Sequence, residues 1–132
     1  PLNGKVFISV NQSDKSQIAE LAKQFADLDF ELVCTAGTAK VIREAGLEVR
    51  EIHKLTEGRP NSLDLLKNGE IHLVINTPSG QAPRADEVKI RTTAVYSGVP
   101  IMTTLSSAKA AASAIAALKD NGYTVKPIQE YL

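Results

Sequence analysis

Hydrophobic residues in this chain form short, nearly continuous runs, which alternate with segments in which they recur every three or four positions. A short apolar run is typical of a strand covered on both faces, and the wider spacing is typical of a helix with one buried face. The runs predict strands at 6–10, 31–34, 48–52, 71–76 and 99–103. The periodic segments predict helices from 18 to about 28 and at 38–45, 61–67, 86–96 and 106–118, with a last extended piece at 124–128.

This regular alternation, without a linker or a repeat, predicts one α/β domain over residues 1–132, with a mainly parallel sheet and helices on both faces. Local signals refine the helix ends. Ser13 and Asp14 are candidate N-caps of the first helix, and Thr38 is a candidate N-cap of the second. The residues expected on the inner face of the last helix are Ala111, Ile115 and Leu118.

Charge and composition exclude two classes of partner. The chain carries 15 basic and 15 acidic side chains, so its formal net charge is zero and no basic excess exists to hold a nucleic-acid backbone. Aromatic residues make up only 5% of the chain, too few for a base-stacking platform. No run approaches the roughly 20 apolar residues of a membrane span. We therefore expect neither a nucleic acid nor a membrane as partner.

A single cysteine, Cys34, can form neither an internal disulfide nor a site of several thiolates, so we expect a cytoplasmic setting. The chain starts at Pro1 without an initiator methionine, and Asn3 and Gly4 form a turn signal. We accordingly expect a domain taken from a longer protein.

Polar side chains follow four of the predicted strands at their carboxyl ends. These ends share one edge of a parallel sheet, where ligands bind in folds of this class. The residues are Asn11, Ser13 and Lys15, then Thr35, Gly37 and Thr38, then Lys54, and finally Asn76, Thr77 and Ser79. Hydroxyl groups and N–H groups at a helix start, with two lysines nearby, suit a phosphomonoester or another small anion such as sulfate. The alternative is a plain cap and turn with two solvated lysines.

Sharper catalytic signatures are absent from the sequence. It contains no P-loop, no G-x-G-x-x-G after a strand and no G-x-S-x-G. His53 and His72 have no partners at metal-ligand spacing, so we expect no metal site and no catalytic histidine. We expect Cys34 to be a buried, inert thiol. The acids expected on helix surfaces or at helix starts are Asp64, Asp86 and Glu87.

Several segments together resemble one known domain. The most specific segments are Thr-Ala-Gly-Thr-Ala at 35–39, Lys-Leu-Thr-Glu-Gly-Arg-Pro at 54–60 and Ile-Asn-Thr-Pro-Ser-Gly at 75–80. The pair Asp-Lys at 14–15 and the run Lys-Asn-Gly-Glu at 67–70 support them. They are similar to the C-terminal allosteric domain of the carbamoyl phosphate synthase large subunit, over nearly the whole chain. The resemblance implies a methylglyoxal synthase-like fold, which is a Rossmann-like, three-layer arrangement with a five-stranded, mainly parallel sheet.

The resemblance also implies a function. Domains of this kind bind effectors and carry no catalytic residues: uridine monophosphate inhibits, and inosine monophosphate can activate. The residues implied in phosphate binding are Lys15, Thr35, Thr38, Lys54 and Asn76, with Gly37, Thr77 and Ser79 beside them. Ornithine, another activator, is implied to bind near Thr103, where the domain meets the rest of the large subunit.

The implied parent enzyme makes carbamoyl phosphate from glutamine, bicarbonate and ATP for arginine and pyrimidine synthesis. It works with a glutaminase small subunit and uses ATP with magnesium or manganese, whereas this domain itself is implied to need no cofactor. Three positions depart from some bacterial members: Pro78 replaces a threonine, and Gln81 and Ala82 replace arginines. Pro78 lacks the hydroxyl and the N–H group of a threonine. The three departures therefore favour weaker phosphate binding or a different effector preference. Thr77 and Ser79 can compensate for the groups lost at Pro78.

Two other functions remain open at this stage. Methylglyoxal synthase, which has the same fold, needs a carboxylate base and a histidine at its phosphate site. The corresponding loops here, 58–61 and 77–83, contain neither residue. The third possibility is an interaction domain without a small-molecule ligand, which applies if Lys15 and Lys54 point apart.

Overall fold

The computed structural model describes residues 4–55, 57–78 and 85–120, in which strands and helices alternate. The strands are β1 (Gly4–Ser9), β2 (Phe30–Thr35), β3 (Arg50–Ile52), β4 (Leu73–Asn76) and β5 (Ile101–Met102). The helices are α1 (Ile18–Asp27), α2 (Ala36–Glu44), α3 (Ser62–Lys67), α4 (Ala85–Tyr96) and α5 (Leu105–Asp120), and a 3₁₀ turn spans Gln12–Asp14. The predicted strands and helices up to residue 120 are therefore confirmed, and the predicted extended piece at 124–128 lies outside the described residues.

The sheet has the strand order β3-β2-β1-β4-β5, and every neighbouring pair is parallel. The central strand is β1, in which Val6 lies opposite Leu32 on one side and Leu73 on the other. The chain runs outward from β1 in one direction through β2 and in the other through β4. In sheets of this kind, ligands bind beyond the carboxyl ends of the strands at this reversal of strand order.

Both faces of the sheet are buried, because side chains along a strand point alternately to either side. Val6 and Ile8 of β1 pack with α1, α2 and α5 on one face, whereas Phe7 packs with α3 and α4 on the other. Cys34 of β2 belongs to the first face and Val33 to the second. The predicted three-layer arrangement with helices on both faces is therefore confirmed.

Three local predictions are wrong. Ser13 and Asp14 lie within the 3₁₀ turn, which Asn11 caps, and α1 begins only at Ile18 without a side-chain cap. Thr38 is the third residue of α2, because the helix begins two residues earlier than predicted. Leu118 is 41% exposed, and the buried residues of α5 are Ala108, Ala112 and Ile115.

The two edge strands are shorter than predicted, with three residues in β3 and two in β5. Within the described residues, no helix combines the length and the apolar character needed to cross a bilayer.

Candidate functional site

A cavity of about 530 Å³ opens where β1, β2 and β4 end. Ser9, Thr35 and Asn76, the last residues of these strands, line it together with side chains from the segments that follow. The 3₁₀ turn, the start of α2, the segment after β3 and the start of α4 also contribute to its wall. The position agrees with the expected ligand site of a parallel sheet.

The structure brings most of the predicted site residues together at this cavity. Those that line it are Lys15, Thr35, Gly37, Thr38, Lys54 and Asn76, together with Asn11 and Ser13. Thr77 directly follows β4 in the chain, is buried and does not line the cavity. Ser79 lies outside the described residues. Thr103 follows β5 and is also not part of the cavity wall. Whether each residue binds an effector stays a prediction.

The start of α2 is the central feature of the cavity wall. Thr35 is the N-cap in an extended conformation, but its side chain makes no capping hydrogen bond. By contrast, Asn11 and Asn61 cap the 3₁₀ turn and α3 with their side-chain oxygens. The first N–H groups of a helix have no partner within it, and the helix dipole makes this end positive. The start of α2 therefore offers N–H donors to an anion in the cavity.

Lys15 places a positive charge at this helix start. Its ammonium nitrogen lies so close to Gly37 that a Cβ atom built on that glycine would be 2.9 Å from it. The same nitrogen lies 3.3 Å from Oε1 of Gln12, one turn earlier in the chain. The ammonium group and the helix dipole thus act on the same part of the cavity.

Asn11 links the loop after β1 to the loop after β4. Its side-chain oxygen accepts a 2.8 Å hydrogen bond from the N–H of Asp14, and its amide nitrogen donates a 2.8 Å bond to the carbonyl of Pro78. Its backbone N–H donates to the hydroxyl oxygen of Thr77 at 2.8 Å. Pro78 therefore takes part through its carbonyl oxygen, a role that needs no N–H group. Gln81 and Ala82, the other two departures, lie outside the described residues.

Lys54 lies in the segment after β3, which carries its own local bonds. The N–H of Lys54 donates to Oε1 of Glu57 at 3.1 Å, and the N–H of Glu57 donates to the carbonyl of Lys54 at 3.0 Å. The amide nitrogen of Asn61 donates to the carbonyl of Gly58 at 3.1 Å, which ties this segment to the start of α3. These bonds restrict the backbone that carries Lys54, while the Lys54 side chain stays exposed.

Asp64 completes the start of α3. Its Oδ2 accepts a 3.0 Å hydrogen bond from the N–H of Asn61, whose own oxygen accepts from the N–H groups of Leu63 and Asp64, so the pair forms a capping box. The Arg59 guanidinium hydrogen-bonds to Oδ1 of Asp64. This bond, and next the N–H of Asn61, lower the pKa of the Asp64 carboxyl below its ordinary value.

Three cavity residues were missed by sequence reasoning. His53, Asp86 and Glu87 line the same space as the two lysines, whereas the sequence suggested only surface positions or helix starts for them. Glu87 lies in the first turn of α4, which agrees with the predicted helix start, but it is only 8% exposed and therefore not on the helix surface. His53 directly follows β3, so the rule that site residues follow the carboxyl ends of parallel strands also applies to this histidine. No such rule applies to Asp86 and Glu87, which depend on how α4 packs.

Cys34 and the described acids and histidines form no metal site. No group of three or more histidine, cysteine, aspartate or glutamate side chains within residues 4–55, 57–78 and 85–120 has a metal-binding arrangement. Cys34 is fully buried, and burial raises the pKa of its thiol from 9.0 to about 12. The predicted burial of the thiol is confirmed. The raised pKa is consistent with the predicted lack of reactivity, because the thiolate is the reactive form.

Comparison with known proteins agrees with the resemblance found in the sequence. Carbamoyl phosphate synthase large chains match nearly all of this chain: that of Acidobacterium capsulatum is 48% identical over 129 residues, and that of Archaeoglobus fulgidus 46% over 132. The C-terminal section of the Aquifex aeolicus large chain is 43% identical over 135 residues. These matches include 98% or 99% of this chain. They span only 12% of the large chains of Acidobacterium capsulatum and Archaeoglobus fulgidus, and 25% of the Aquifex aeolicus section.

A solved structure supports the fold. The methylglyoxal synthase of Elizabethkingia anophelis superposes with a TM-score of 0.70, covering 86% of this chain and 79% of the other at 16% identity. At this identity the likeness shows a shared fold. The model of the MGS-like domain family matches residues 17–103, which include the starts of α2 and α3 and most of the cavity. The chain belongs to the family of MGS-like domains.

Proposed function

We propose that the chain is a regulatory domain of a carbamoyl phosphate synthase large chain, and that its cavity binds the phosphate group of a nucleoside monophosphate. Uridine monophosphate is the proposed inhibitor and inosine monophosphate a second effector. The observation that carries this proposal is the meeting of Lys15, Lys54 and the start of α2 at one cavity.

The chemistry of a phosphate monoester fits this arrangement. A helix start stabilises an anion through its N–H groups and its dipole, and each ammonium group adds a charge-assisted hydrogen bond. The hydroxyl groups of Thr35 and Thr38 and the amide of Asn76 supply further donors at the same wall. A volume of about 530 Å³ lies in the range of small-molecule sites and accommodates a nucleoside as well as its phosphate.

The longer protein is proposed from the relatives. Their large chains suggest a parent that makes carbamoyl phosphate from glutamine, bicarbonate and ATP, with magnesium or manganese, together with a glutaminase small subunit in the cytoplasm. Ornithine is proposed to act near Thr103, at the contact of this domain with the rest of the large chain. Pyrimidine and arginine synthesis are the pathways that this parent would supply.

Regulation then needs two arrangements of the loops around the cavity. The segment after β3 carries Lys54, and the loop after β4 is joined to Asn11, so an anion held between them favours one arrangement. A ligand shifts such an equilibrium only by its difference in affinity for the two states. A coupling of about 1–3 kcal/mol corresponds to roughly 5- to 150-fold changes in the affinity of the parent for its substrates.

Calorimetric titration of the chain with uridine monophosphate, inosine monophosphate and dihydroxyacetone phosphate tests the proposal. We expect saturable binding of at least one nucleotide without turnover. Lys54→Ala and Thr38→Val each remove a proposed phosphate contact, so we expect dissociation constants about tenfold or more higher. Lys40→Ala is the matched control, because Lys40 is an exposed residue of α2 that does not line the cavity.

In the full large chain, Lys54→Ala and Thr38→Val are expected to abolish the nucleotide response and to leave basal carbamoyl phosphate synthesis intact. Loss of basal synthesis in both variants would contradict a purely regulatory role. A chain that binds none of the three ligands would instead favour an interaction domain without a small-molecule site.

One observation favours a second candidate function, a lyase acting on dihydroxyacetone phosphate. His53, Asp86 and Glu87 line the cavity, so an imidazole and two carboxylates share it with the lysines. A carboxylate base and a histidine are the groups that this reaction requires. Formation of methylglyoxal in the titration with dihydroxyacetone phosphate would establish this second function.

A further inference from the structure

Gly37 is a glycine that the backbone of α2 does not require. It is the second residue of the helix, and its φ lies outside the left-handed region that Gly46, Gly58 and Gly69 occupy. A residue with ordinary helical angles is more stable as alanine, because glycine has more conformational freedom to lose on folding. Gly37 is also exposed, so core packing does not explain it.

The space beside Gly37 belongs to Lys15. A Cβ atom built on Gly37 would lie 2.9 Å from Nζ of Lys15 and 3.7 Å from its Cε. Within the described residues, no other atom beyond the adjoining backbone comes within 4 Å of that position. The missing side chain therefore leaves room for one group, the end of the Lys15 side chain.

A methyl group at this position would move the lysine and leave the helix in place. The ammonium group is the far end of a flexible side chain, and its hydrogen bond to Gln12 is long, at 3.3 Å. Moving it costs little, and the buried residues through which α2 packs, Thr38, Ala39 and Ile42, have no atom within 4 Å of the Cβ position of Gly37 outside the backbone of the helix and the adjoining residues. The effect of the methyl group thus falls on the placement of the charge.

We propose that Gly37 is a positioning residue of the anion site: the absence of its side chain lets the Lys15 ammonium lie against the first turn of α2, at the expense of helix stability. This inference rests on the proposed function of the cavity as an anion site. It assigns Gly37 a role that acts through Lys15 and is separate from any contact between the glycine and the ligand.

The Gly37→Ala variant of the chain separates the two effects. We expect its melting temperature to rise by roughly 2 to 5 °C, because alanine stabilises a helical position. We expect its dissociation constant for uridine monophosphate, and for inorganic phosphate, to rise about tenfold, because the lysine no longer reaches its place. The control is Lys40→Gly, at an exposed position of α2 that does not line the cavity, which should lower the melting temperature and leave both dissociation constants unchanged.

A double-mutant cycle with Lys15→Ala identifies the route of the effect. If Gly37 acts through Lys15, Gly37→Ala weakens phosphate binding in the wild-type background and changes it less than twofold in the Lys15→Ala background. Titrations followed by NMR extend the measurement to millimolar dissociation constants, so that the weakened variants are also quantified.

Three results would overturn the inference. Equal weakening in both backgrounds would mean that the methyl group meets the anion itself, and a Gly37→Ala variant that binds like the wild type would mean that the lysine position is not limiting. Either result leaves the proposed anion site intact. A wild-type chain that binds neither phosphate nor nucleotide would refute the proposed function and this inference together.

Discussion

Asn11 connects two loops of the cavity through two hydrogen bonds and holds the 3₁₀ turn through its side-chain oxygen, which accepts from Ser13 and Asp14. Its oxygen caps the 3₁₀ turn, its amide nitrogen holds the carbonyl of Pro78, and its backbone N–H meets the hydroxyl of Thr77. Only the first two depend on the side chain. Asparagine is suited to this position because one planar group provides an acceptor and a donor.

Substitution of Asn11 separates the cap from the loop connection. Asn11→Ala removes the side-chain oxygen, which accepts from Asp14 and Ser13, and the amide that donates to Pro78. We expect the free energy of unfolding to fall by about 2 kcal/mol, roughly half from the oxygen and half from the amide. Asn11→Asp keeps the capping oxygen and loses the donor to Pro78, so we expect a loss of about 1 kcal/mol. Urea unfolding followed by circular dichroism measures both. An aspartate variant as unstable as the alanine variant would show that the cap contributes nothing.

Thr35 and Thr38 show how far single residues could be predicted. The sequence placed both in a segment between a strand and a helix start, but the structure has no such gap: Thr35 ends β2, and Thr38 already lies within α2. The sequence favoured Thr38 as the N-cap, whereas the N-cap is Thr35, because either threonine is a suitable residue for that position. The buried side chain of Thr38 settles the choice: only with the helix starting at Ala36 does this residue face inward with Ala39 and Ile42. Burial of this kind depends on tertiary packing.

At the scale of elements, α3 depends on charge at its start. The capping box of Asn61 and Asp64, with Arg59 on the same carboxylate, holds a helix of only six residues. Such a helix is too short to be stable by itself. Its bonds to the segment after β3 also hold the backbone around Lys54, so the start of α3, whose first residue Ser62 lines the cavity, also supports the neighbouring part of the wall.

The lowered pKa of Asp64 predicts a loss of stability in acid. Hydrogen bonds from Arg59 and from the N–H of Asn61 favour the ionised carboxylate in the folded chain. Its contribution is complete above the ordinary carboxyl pKa of 3.8 and is lost as the pH falls through the lowered value. Urea unfolding from about pH 6 to about pH 2 measures this loss, and Asp64→Asn should reduce the acid-side slope. An unchanged slope would mean that other carboxyl groups account for it.

The edge strands and α5 are elements whose extent or buried face the hydrophobic pattern predicted incorrectly. The apolar run at 99–103 predicted a full strand, but β5 pairs over only two residues because it has a neighbour on one side alone. In α5, alanines occupy so many positions that several faces look equally apolar, and the buried face was assigned in part to the wrong residues. The central strands are covered on both faces and have a neighbour on each side, so their hydrophobic pattern was less ambiguous.

At the scale of the whole molecule, the chain has no net charge, but its charges are unevenly arranged. Lys15 and Lys54 face the same cavity as Asp86 and Glu87. An anion in the cavity is therefore attracted by two cations and repelled by two carboxylates, and salt screens the exposed charges among them. The sequence rule for parallel sheets located the cations, but the carboxylates of α4 depend on a packing arrangement that no local pattern specifies.

Salt dependence of phosphate binding tests this electrostatic balance. We expect the dissociation constant for uridine monophosphate to rise severalfold between about 0.05 M and about 0.5 M sodium chloride, because exposed charges are screened. Lys54→Ala should flatten this dependence, and Lys40→Ala, on the outer face of α2, should leave it unchanged. A dissociation constant independent of salt would mean that neutral hydrogen bonds dominate the site.

The position of β1 between β2 and β4 has a consequence for how the sheet opens. Every residue of β1 from Val6 to Ile8 pairs with both neighbouring strands, so within the sheet this strand alone joins the β3-β2 half to the β4-β5 half. The cavity spans the same junction, since Thr35 belongs to one half and Asn76 to the other. A ligand that contacts both therefore adds a connection between the two halves at the ends of the central strands, and local opening there becomes rarer when it is bound.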